Sequence, residues 1–302
     1  MGDSFRKVGP IEATLHFIQH NSVKNKKAQI MSTTTTPDYT TIKSAQNAAW
    51  TAGDYSIVGT TLQIVGEQLC EALDLRAGQQ VLDVAAGNGN VSLAAARRFA
   101  NVVSTDYVAD LLENGKVRAA AERLPMEFIT ADAEDLPFDD RSFDVVTSSF
   151  GVMFTPNQEQ AAAELLRVTR SGGKIGLANW TPTSFVGRLF KTLGSFVPPP
   201  AGLQSPALWG TQDRLNTFFG AGSSMIDVTS RNYVWRYRSA QHWLTTWWEV
   251  YGPLQKAFGK LDEAGQQQLT GALLELLEDC NVATDGTLVI PSEYLEVVVT
   301  KR

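Results

Sequence analysis

The sequence predicts an α/β domain in which helices cover both faces of a mostly parallel β-sheet. From residue 80 onward, short apolar runs alternate with segments whose apolar residues recur at helical spacing. Strands and helices that alternate in this way form parallel sheets with right-handed crossovers. A valine-rich run at the end of the chain predicts one more strand in the same sheet. The segment before that strand is therefore expected to be an insertion into one domain.

Seven strands and six helical segments are predicted along the chain. The strands are 81–85, 101–107, 126–132, 143–150, 174–180, 227–237 and 287–300. The helical segments are 91–99, 109–122, 158–169, 212–219, 240–261 as one helix or two, and 265–280. Gly172 and Gly173 are expected to end the helix 158–169 in a turn, because glycine often closes a helix.

Composition and charge limit the class of protein. The 302 residues are 43% hydrophobic and 19% charged, which is typical of a globular domain. The formal charge of −6 argues against a nucleic-acid partner, because phosphate binding favours a basic surface. No apolar run reaches the roughly 20 residues that span a bilayer. Cys70 and Cys280 lack metal-ligand spacing, so we expect free thiols, no metal site and a cytoplasmic protein, either monomeric or homodimeric.

The first residues differ in charge from the rest of the chain. Residues 1–30 carry five basic and two acidic side chains, without the apolar segment that secretory signals have. Met31 offers an alternative start. We therefore expect residues 1–38 to be a disordered or non-native arm. Residues 39–302 are expected to form one domain, with a cap insertion at about 182–285.

The most informative stretch runs from Val81 to Asn90, where an apolar strand enters a glycine-rich turn that opens a helix. Gly87 and Gly89 let the backbone approach a ligand closely, because no Cβ intervenes. The helix that follows offers unpaired N–H groups and the positive end of its dipole. This arrangement predicts a site for a nucleotide-like ligand. The turn lacks the G-x-G-x-x-G fingerprint and a following lysine, which disfavours a dinucleotide cofactor and excludes a P-loop.

Three aspartates lie in or just after the first three predicted strands. Asp106 closes the second strand, 19 residues after Gly87, where a carboxylate suits the two hydroxyls of a ribose. Its alternative role is a helix N-cap. Asp132, at the end of the third strand, suits the exocyclic amine of adenine or else a turn. Asp83, inside the first strand, is expected to fix the glycine loop or to bind an ammonium group of the ligand.

Several motifs in their order resemble those of class I S-adenosylmethionine-dependent methyltransferases. They are D-V-A-A-G-N-G, the acid at Asp106, D-A at Asp132, and L-P-F-D-D-R-S-F-D-V-V. The resemblance covers about residues 80–181 and is strongest to the small-molecule branch that includes ubiquinone and menaquinone C-methyltransferases. It implies a Rossmann-like sheet of seven strands with an antiparallel last strand, and S-adenosylmethionine as cofactor.

The resemblance also implies a set of cofactor-binding positions. They are Asp83, Ala85, Gly87, Gly89, Asp106, Tyr107, Asp132, Ala133 and Phe150. The glycines would contact the methionine part of the cofactor, Asp106 the ribose, and Asp132 the adenine amine. Ala133 would contact the adenine ring through its backbone, and Phe150 would lie near the sulfonium. Ala85 stands where the family often has glycine, and we expect it to keep an ordinary φ and to shift the loop slightly.

Aromatic residues are the predicted source of the acceptor site. Trp243, Trp247 and Tyr251 recur on one helical face, which predicts either a core stripe or an apolar lid over the acceptor. Trp50 and Tyr55 precede the sheet and are expected to close over the cofactor from the other side. A lid of this kind would exclude water and position the acceptor for in-line attack.

Two further observations bear on the chemistry. His242 is the only histidine outside the N-terminal arm, and it is either a general base or a surface or lid residue. The segment after the fourth strand reads S-S-F-G, so it lacks the N/D-P-P-Y/F element of many N-methyltransferases. We therefore predict methyl transfer to carbon or oxygen of an apolar small molecule such as a quinone or phenol. The alternatives are N-methylation of a small amine and a catalytically silent protein that only binds the cofactor.

Overall fold

One seven-stranded sheet organises residues 37–302, the part of the chain that this computed structural model describes. The strands are β1 Gln80–Val84, β2 Asn101–Asp106, β3 Glu127–Thr130, β4 Phe143–Ser149, β5 Thr169–Trp180, β6 Ser223–Tyr237 and β7 Leu288–Lys301. Their order across the sheet is β3-β2-β1-β4-β5-β7-β6. Pairing is parallel from β3 to β5, and β7 runs antiparallel to both of its neighbours. The predicted fold class is confirmed.

Residues 37–302 contain eleven helices, which pack around the sheet. They are α1 Tyr39–Thr51, α2 Tyr55–Thr61, α3 Gln63–Ala72, α4 Asn90–Arg97, α5 Ala109–Glu122, α6 Gln158–Val168, α7 Phe185–Phe196, α8 Gln212–Phe219, α9 Ala240–Val250, α10 Gly252–Gly259 and α11 Glu263–Cys280. Short 3-10 turns occur at Val152–Phe154 and Pro206–Gly210. Within residues 37–302, no helix has the length and the apolar character needed to cross a membrane.

Two cores, one on each face of the sheet, follow from the alternation of side chains along the buried strands. In β1, Val81 packs into the smaller core against α3 and α4, whereas Leu82 and Val84 pack into the larger core. Val145 and Val146 of β4 divide in the same way. The larger core also takes the buried faces of α6, α7, α9, α10 and α11.

Helices α1 to α3 occupy a segment that the sequence left unassigned. Asp38 caps α1 by accepting from the N–H of Thr41 at 3.1 Å, and Asp54 caps α2 by accepting from the N–H of Ser56 at 3.1 Å. Side-chain caps of this kind satisfy N–H groups that the first helical turn leaves unpaired. Residues 1–36 of the predicted arm lie outside the described residues.

The glycines after α6 do not form the expected helix-ending turn, so that prediction is wrong. Helix α6 ends at Val168, and β5 begins directly at Thr169. The pairing of β4 with β5 jumps from Phe143–Thr169 to Val145–Lys174, so an irregularity lies inside the strand. Gly172 has a φ of +75°, which an irregular strand segment accommodates most easily at glycine.

The segment 182–285 contributes helices and one strand. Strand β6 forms the outer edge of the sheet and pairs with β7 along its whole length, from Ser223 opposite Lys301 to Tyr237 opposite Leu288. The predicted helix 240–261 is two helices, because α9 ends at Val250 and α10 begins at Gly252 with a proline in its first turn. Proline is favoured there because its missing N–H would be unpaired in any case.

Candidate cofactor site

The glycine loop joins β1 to α4 at the carboxyl edge of the sheet. Gly87 and Gly89 have φ values of +57° and +82°, a region that favours glycine. A Cβ placed on Gly87 would meet no atom within 4 Å, so the backbone there faces open space. Gly89 is the N-cap residue of α4 and supplies no side-chain cap. The loop therefore offers backbone and a helix N-terminus to a ligand, as its spacing predicted.

Ala85 departs from its expected conformation. Its φ is +51°, in the left-handed region, so the prediction of an ordinary φ is wrong. The neighbouring N–H of Ala86 donates to the carbonyl of Thr105 at 2.9 Å, which ties the loop to β2. On the other side, a Cβ placed on Gly151 would lie 2.2 Å from the carbonyl oxygen of Ala85. The loop is held between two strand ends, and this confinement maintains the strained conformation.

Asp106 holds the glycine loop and also lines the cavity beside it. One carboxylate oxygen accepts from the N–H of Gly87 and the other from the N–H of Val108, each at 2.9 Å. The residue is only 5% exposed, and burial raises the pKa of its carboxyl group to about 6. The alternative role as a helix N-cap is wrong, because Val108 is the N-cap of α5 and that helix has no side-chain cap. Each carboxylate oxygen has two acceptor positions, so the two bonds leave room for a ligand donor.

Asp83, in β1, holds the first turn of α4 through hydrogen bonds. Its Oδ2 accepts from the backbone N–H of Ser92 at 2.9 Å and from the Ser92 hydroxyl at 2.6 Å, while Oδ1 accepts from the Thr147 hydroxyl at 2.9 Å. Burial raises the pKa of Asp83 to about 6. These bonds join β1, β4 and α4, so the carboxylate orients the helix that follows the glycine loop.

Asp132 lies beyond β3 and pairs with a residue that sequence reasoning missed. Its Oδ2 lies 2.7 Å from the ammonium of Lys43, and its Oδ1 accepts from the N–H of Glu134 at 2.9 Å. Lys43 also pairs with the buried Glu134 at 2.5 Å. Because Lys43 belongs to α1, these ion pairs fasten that helix over the carboxyl edge of the sheet. The sequence separation of 89 residues gave no local signal for this contact.

Four rings form an aromatic wall, which we define as Trp50, Tyr55, Phe154 and Tyr251. The ring of Trp50 lies 5.4 Å from Tyr55, 5.2 Å from Phe154 and 5.7 Å from Tyr251, in each case edge to face. Such geometry is favourable between aromatic side chains. Burial raises the pKa of both tyrosines far above the ordinary value, so their hydroxyls stay neutral.

A cavity at the carboxyl ends of β1, β2 and β4, the sheet-edge cavity, brings most of the predicted residues together. Those that line it are Trp50, Tyr55, Asp83, Ala85, Gly87, Asp106, Tyr107, Asp132, Ala133 and Phe150. Further lining residues that were not predicted include Lys43, Gln46, Asn88, Asn90, Leu111 and Phe154. Helix α1 closes one side, where Asn47 donates to the carbonyl of Tyr107 at 2.9 Å.

The remaining predicted residues do not line the sheet-edge cavity; they are Gly89, His242, Trp243, Trp247 and Tyr251. Trp243 and Trp247 are 0% and 3% exposed in the larger core, with their rings stacked at 4.6 Å, and they do not line the sheet-edge cavity. Trp247 donates through its indole N–H to the hydroxyl of Tyr237 at 2.8 Å. His242 lies in the first turn of α9, where its Nδ1 accepts from the N–H of Arg238 at 3.3 Å. It does not line the cavity either.

Comparison with known proteins identifies the class to which this fold and site belong. A methyltransferase-domain family model matches residues 82–177. The chain is 36% identical over 268 residues to an uncharacterised protein of Mycobacterium tuberculosis, across 87% of this chain and 96% of that one. It is 33% identical over 177 residues to the demethylmenaquinone methyltransferase of Paenarthrobacter aurescens, across 54% of this chain and 68% of that one. The solved structure of the YcgJ protein of Bacillus subtilis has the same fold, with a TM-score of 0.55 at 17% identity over 81% of this chain and 99% of that one.

The chain therefore belongs to the class I S-adenosylmethionine-dependent methyltransferases. Its cofactor is S-adenosylmethionine, and the site offers the groups that this molecule needs. A polar nucleoside with an amine and a cationic centre fits these groups. They are the open backbone at Gly87, the N-terminus of α4 at Gly89, and the carboxylates of Asp106 and Asp132.

Proposed function

We propose that the protein transfers a methyl group to a carbon or oxygen atom of an apolar small molecule such as a quinone or a phenol. The observation that carries the proposal is the aromatic wall, because Trp50, Tyr55 and Phe154 line the same cavity as Asp106 and the glycine loop. An apolar ring is favoured on such a wall, because aromatic side chains bury it with edge-to-face and stacked contacts.

We also propose a role for each cofactor-binding residue. Gly87 and Gly89 approach the methionine part, and Asp106 accepts from the ribose hydroxyls. Asp132 accepts from the adenine amine, and the backbone of Ala133 contacts the ring. What supports these roles is that Asp106, Asp132 and Ala133 line the same cavity as Gly87. The backbone of Gly87 faces open space there, because a Cβ on it would meet no atom within 4 Å.

The side chains of this protein position the acceptor and exclude water from the cavity, and none of them is assigned as an acid or a base. When bound, S-adenosylmethionine supplies the methyl group of its sulfonium to the acceptor, the acceptor loses a proton, and S-adenosylhomocysteine remains. The aromatic wall holds the acceptor and keeps water from the cavity. The hydroxyls of Tyr55 and Tyr251 stay protonated because burial raises the pKa of each. His242 lies outside the cavity, so we do not assign it the role of base.

Residues 182–285 are proposed as the insertion that completes the acceptor side of this domain. Their helices α9 and α10 bring Tyr251 against Trp50, which joins the insertion to the helices before the sheet.

The proposal is tested by turnover with a panel of acceptors. Reduced naphthoquinones, substituted phenols and small aliphatic amines are each incubated with the protein and methyl-labelled S-adenosylmethionine. We expect label in the products of the quinone or phenol group, and mass spectrometry with fragmentation identifies the methylated atom. Label found only in amine products would contradict the proposal and favour N-methylation.

A further inference from the structure

A second cavity adjoins the sheet-edge cavity at the aromatic wall. Trp50, Phe154 and Gln46 line both cavities, and Tyr251 lines the second alone. The remaining walls come from α7, from the loop 197–208 that follows it, and from α10. A molecule in this second cavity therefore has one end at the wall that it shares with the cofactor.

The inner surface of the second cavity is apolar. Its lining side chains include Phe190, Leu193, Val197, Leu203, Leu208 and Ala257. Phe190 contacts the aromatic wall directly, with its ring 5.5 Å from that of Phe154. The apolar surface thus continues from the aromatic wall along α7, which suits a long apolar group better than a small polar molecule.

Among the described residues, lysine is the only charged residue type that lines this cavity. Lys191 on α7, Lys256 on α10 and Lys260 just after α10 line it, and no aspartate or glutamate of residues 37–302 does. All three are exposed, and none forms an ion pair or a side-chain hydrogen bond with the described residues 37–302. Three lysines on one cavity contrast with a chain whose formal charge is −6. We call this the lysine-rimmed cavity.

We propose that the lysine-rimmed cavity binds an acceptor that is an elongated apolar acid, with its reacting end at the aromatic wall and its carboxylate at the three lysines. The inference rests on the proposed function and names the class of acceptor more closely. Apolar lining selects the body of the molecule, while the local positive charge selects its anionic end.

Binding of a matched pair of probes tests the charge of the acceptor. Dodecanoate and dodecanol are titrated by calorimetry against the protein saturated with S-adenosylhomocysteine, at low ionic strength. We expect dodecanoate to bind about tenfold more tightly, because three exposed ion pairs each contribute modestly. The preference should decrease with added salt, since exposed charges are screened. Equal affinity for the two probes would overturn the proposal.

Two sets of variants locate the binding. The triple variant Lys191→Gln, Lys256→Gln and Lys260→Gln should remove the preference for dodecanoate, whereas Lys116→Gln, on the exposed face of α5, should keep it. A preference that survives in the triple variant would contradict the assignment. Dodecanoate that binds only as part of anionic lipid vesicles, and not as free acid, would assign the lysines to a membrane surface instead.

A blocking variant tests the apolar part of the cavity. A Cβ on Gly194 would meet only Cδ of Pro199, at 4.0 Å, and both residues line the cavity. Gly194→Leu should therefore fill the space, and it should also favour helix α7, because leucine is the better helix former. We expect at least about tenfold weaker binding of both probes, with binding of S-adenosylhomocysteine unchanged.

The cofactor measurement separates the two proposals. Failure of S-adenosylhomocysteine to bind would contradict the proposed function itself. Normal cofactor binding with unchanged probe affinity in Gly194→Leu would overturn only the assignment of this cavity.

Discussion

Asp106 combines two tasks, because one carboxylate both holds the glycine loop and faces the cavity. In Asp106→Asn, the amide group must point an N–H at the N–H of Gly87 or of Val108. We expect the affinity for S-adenosylhomocysteine to fall by about 1.5–3 kcal/mol, since a charged acceptor is lost and a buried donor is unpaired. Calorimetry measures the change. Asp110→Asn, in the exposed first turn of α5, is the matched control, and an equal loss there would contradict the role of Asp106.

The raised pKa of Asp106 predicts a pH dependence of cofactor binding. With a pKa of about 6, the carboxyl group becomes neutral as the pH falls below 6, and it then accepts hydrogen bonds less strongly. The affinity for S-adenosylhomocysteine should therefore decrease between pH 7.5 and pH 5. Asp106→Asn should flatten this dependence.

Raised pKa values act in the opposite direction on the stability of the protein without ligand. Between the ordinary pKa of 3.8 and about 6, the folded state binds protons at Asp83 and Asp106 that the unfolded state does not bind. These two groups therefore make the free energy of unfolding rise as the pH falls through that interval.

The measurement of ligand affinity decides the role of Asp106. An affinity for S-adenosylhomocysteine that is constant from pH 7.5 to pH 5 would contradict binding by the ionised carboxylate of Asp106.

Ala85 carries strain that glycine would relieve. Because its φ is +51°, Ala85→Gly should raise the free energy of unfolding by about 0.5–1 kcal/mol. Ala86→Gly is the control, since Ala86 is absent from the positive-φ residues and should lose stability on the same change. Denaturant unfolding measures both variants. A loss of stability in Ala85→Gly would show that the alanine methyl contributes packing that outweighs the strain.

The roles of some single residues could be predicted from the sequence, and those of others could not. Asp106 was predicted because a strand end and its spacing from Gly87 are local signals. The left-handed φ of Ala85 was not, because it arises from the close approach of Gly151 and the hydrogen bond to β2, both distant in sequence. Lys43 was missed for the same reason.

Helix α1 acts as a cover for the sheet-edge cavity, and Lys43 is its main polar attachment. Lys43→Gln should leave the buried Glu134 without its cation and lower the free energy of unfolding by about 1 kcal/mol, after allowance for partial exposure of the lysine. Amide hydrogen exchange in Tyr39–Thr51 should become faster, while exchange in α11 stays unchanged. Unchanged protection of α1 would mean that packing alone holds the helix.

At the scale of elements, buried parallel strands were the easiest to predict, because they read as short apolar runs. The helix-ending turn predicted at residues 172–173 was wrong, because glycine is common both at helix ends and at irregularities within strands. Helices α1 and α2 were missed because their buried residues are few and their attachment depends on an ion pair and rings from distant parts of the chain. Helix α3 was left unassigned although Val65, Leu69 and Cys70 are buried.

At the scale of the whole molecule, strand order explains the position of the site. The chain passes outward from β1 to β2 and β3 and then returns to β4 on the other side of β1. Ligands of such sheets bind at the carboxyl edge where the order reverses. The sheet-edge cavity lies there, beneath α1 and beside the aromatic wall. Trp243 and Trp247, by contrast, support the larger core from α9.

A crystal structure with S-adenosylhomocysteine would show whether the cofactor lies beneath the aromatic wall. We predict that the ribose hydroxyls lie within hydrogen-bond distance of Asp106, that the adenine amine lies at Asp132, and that the sulfur faces Trp50 and Phe154. A ribose placed away from Asp106, or a sulfur turned away from the aromatic wall, would contradict this arrangement of the cofactor.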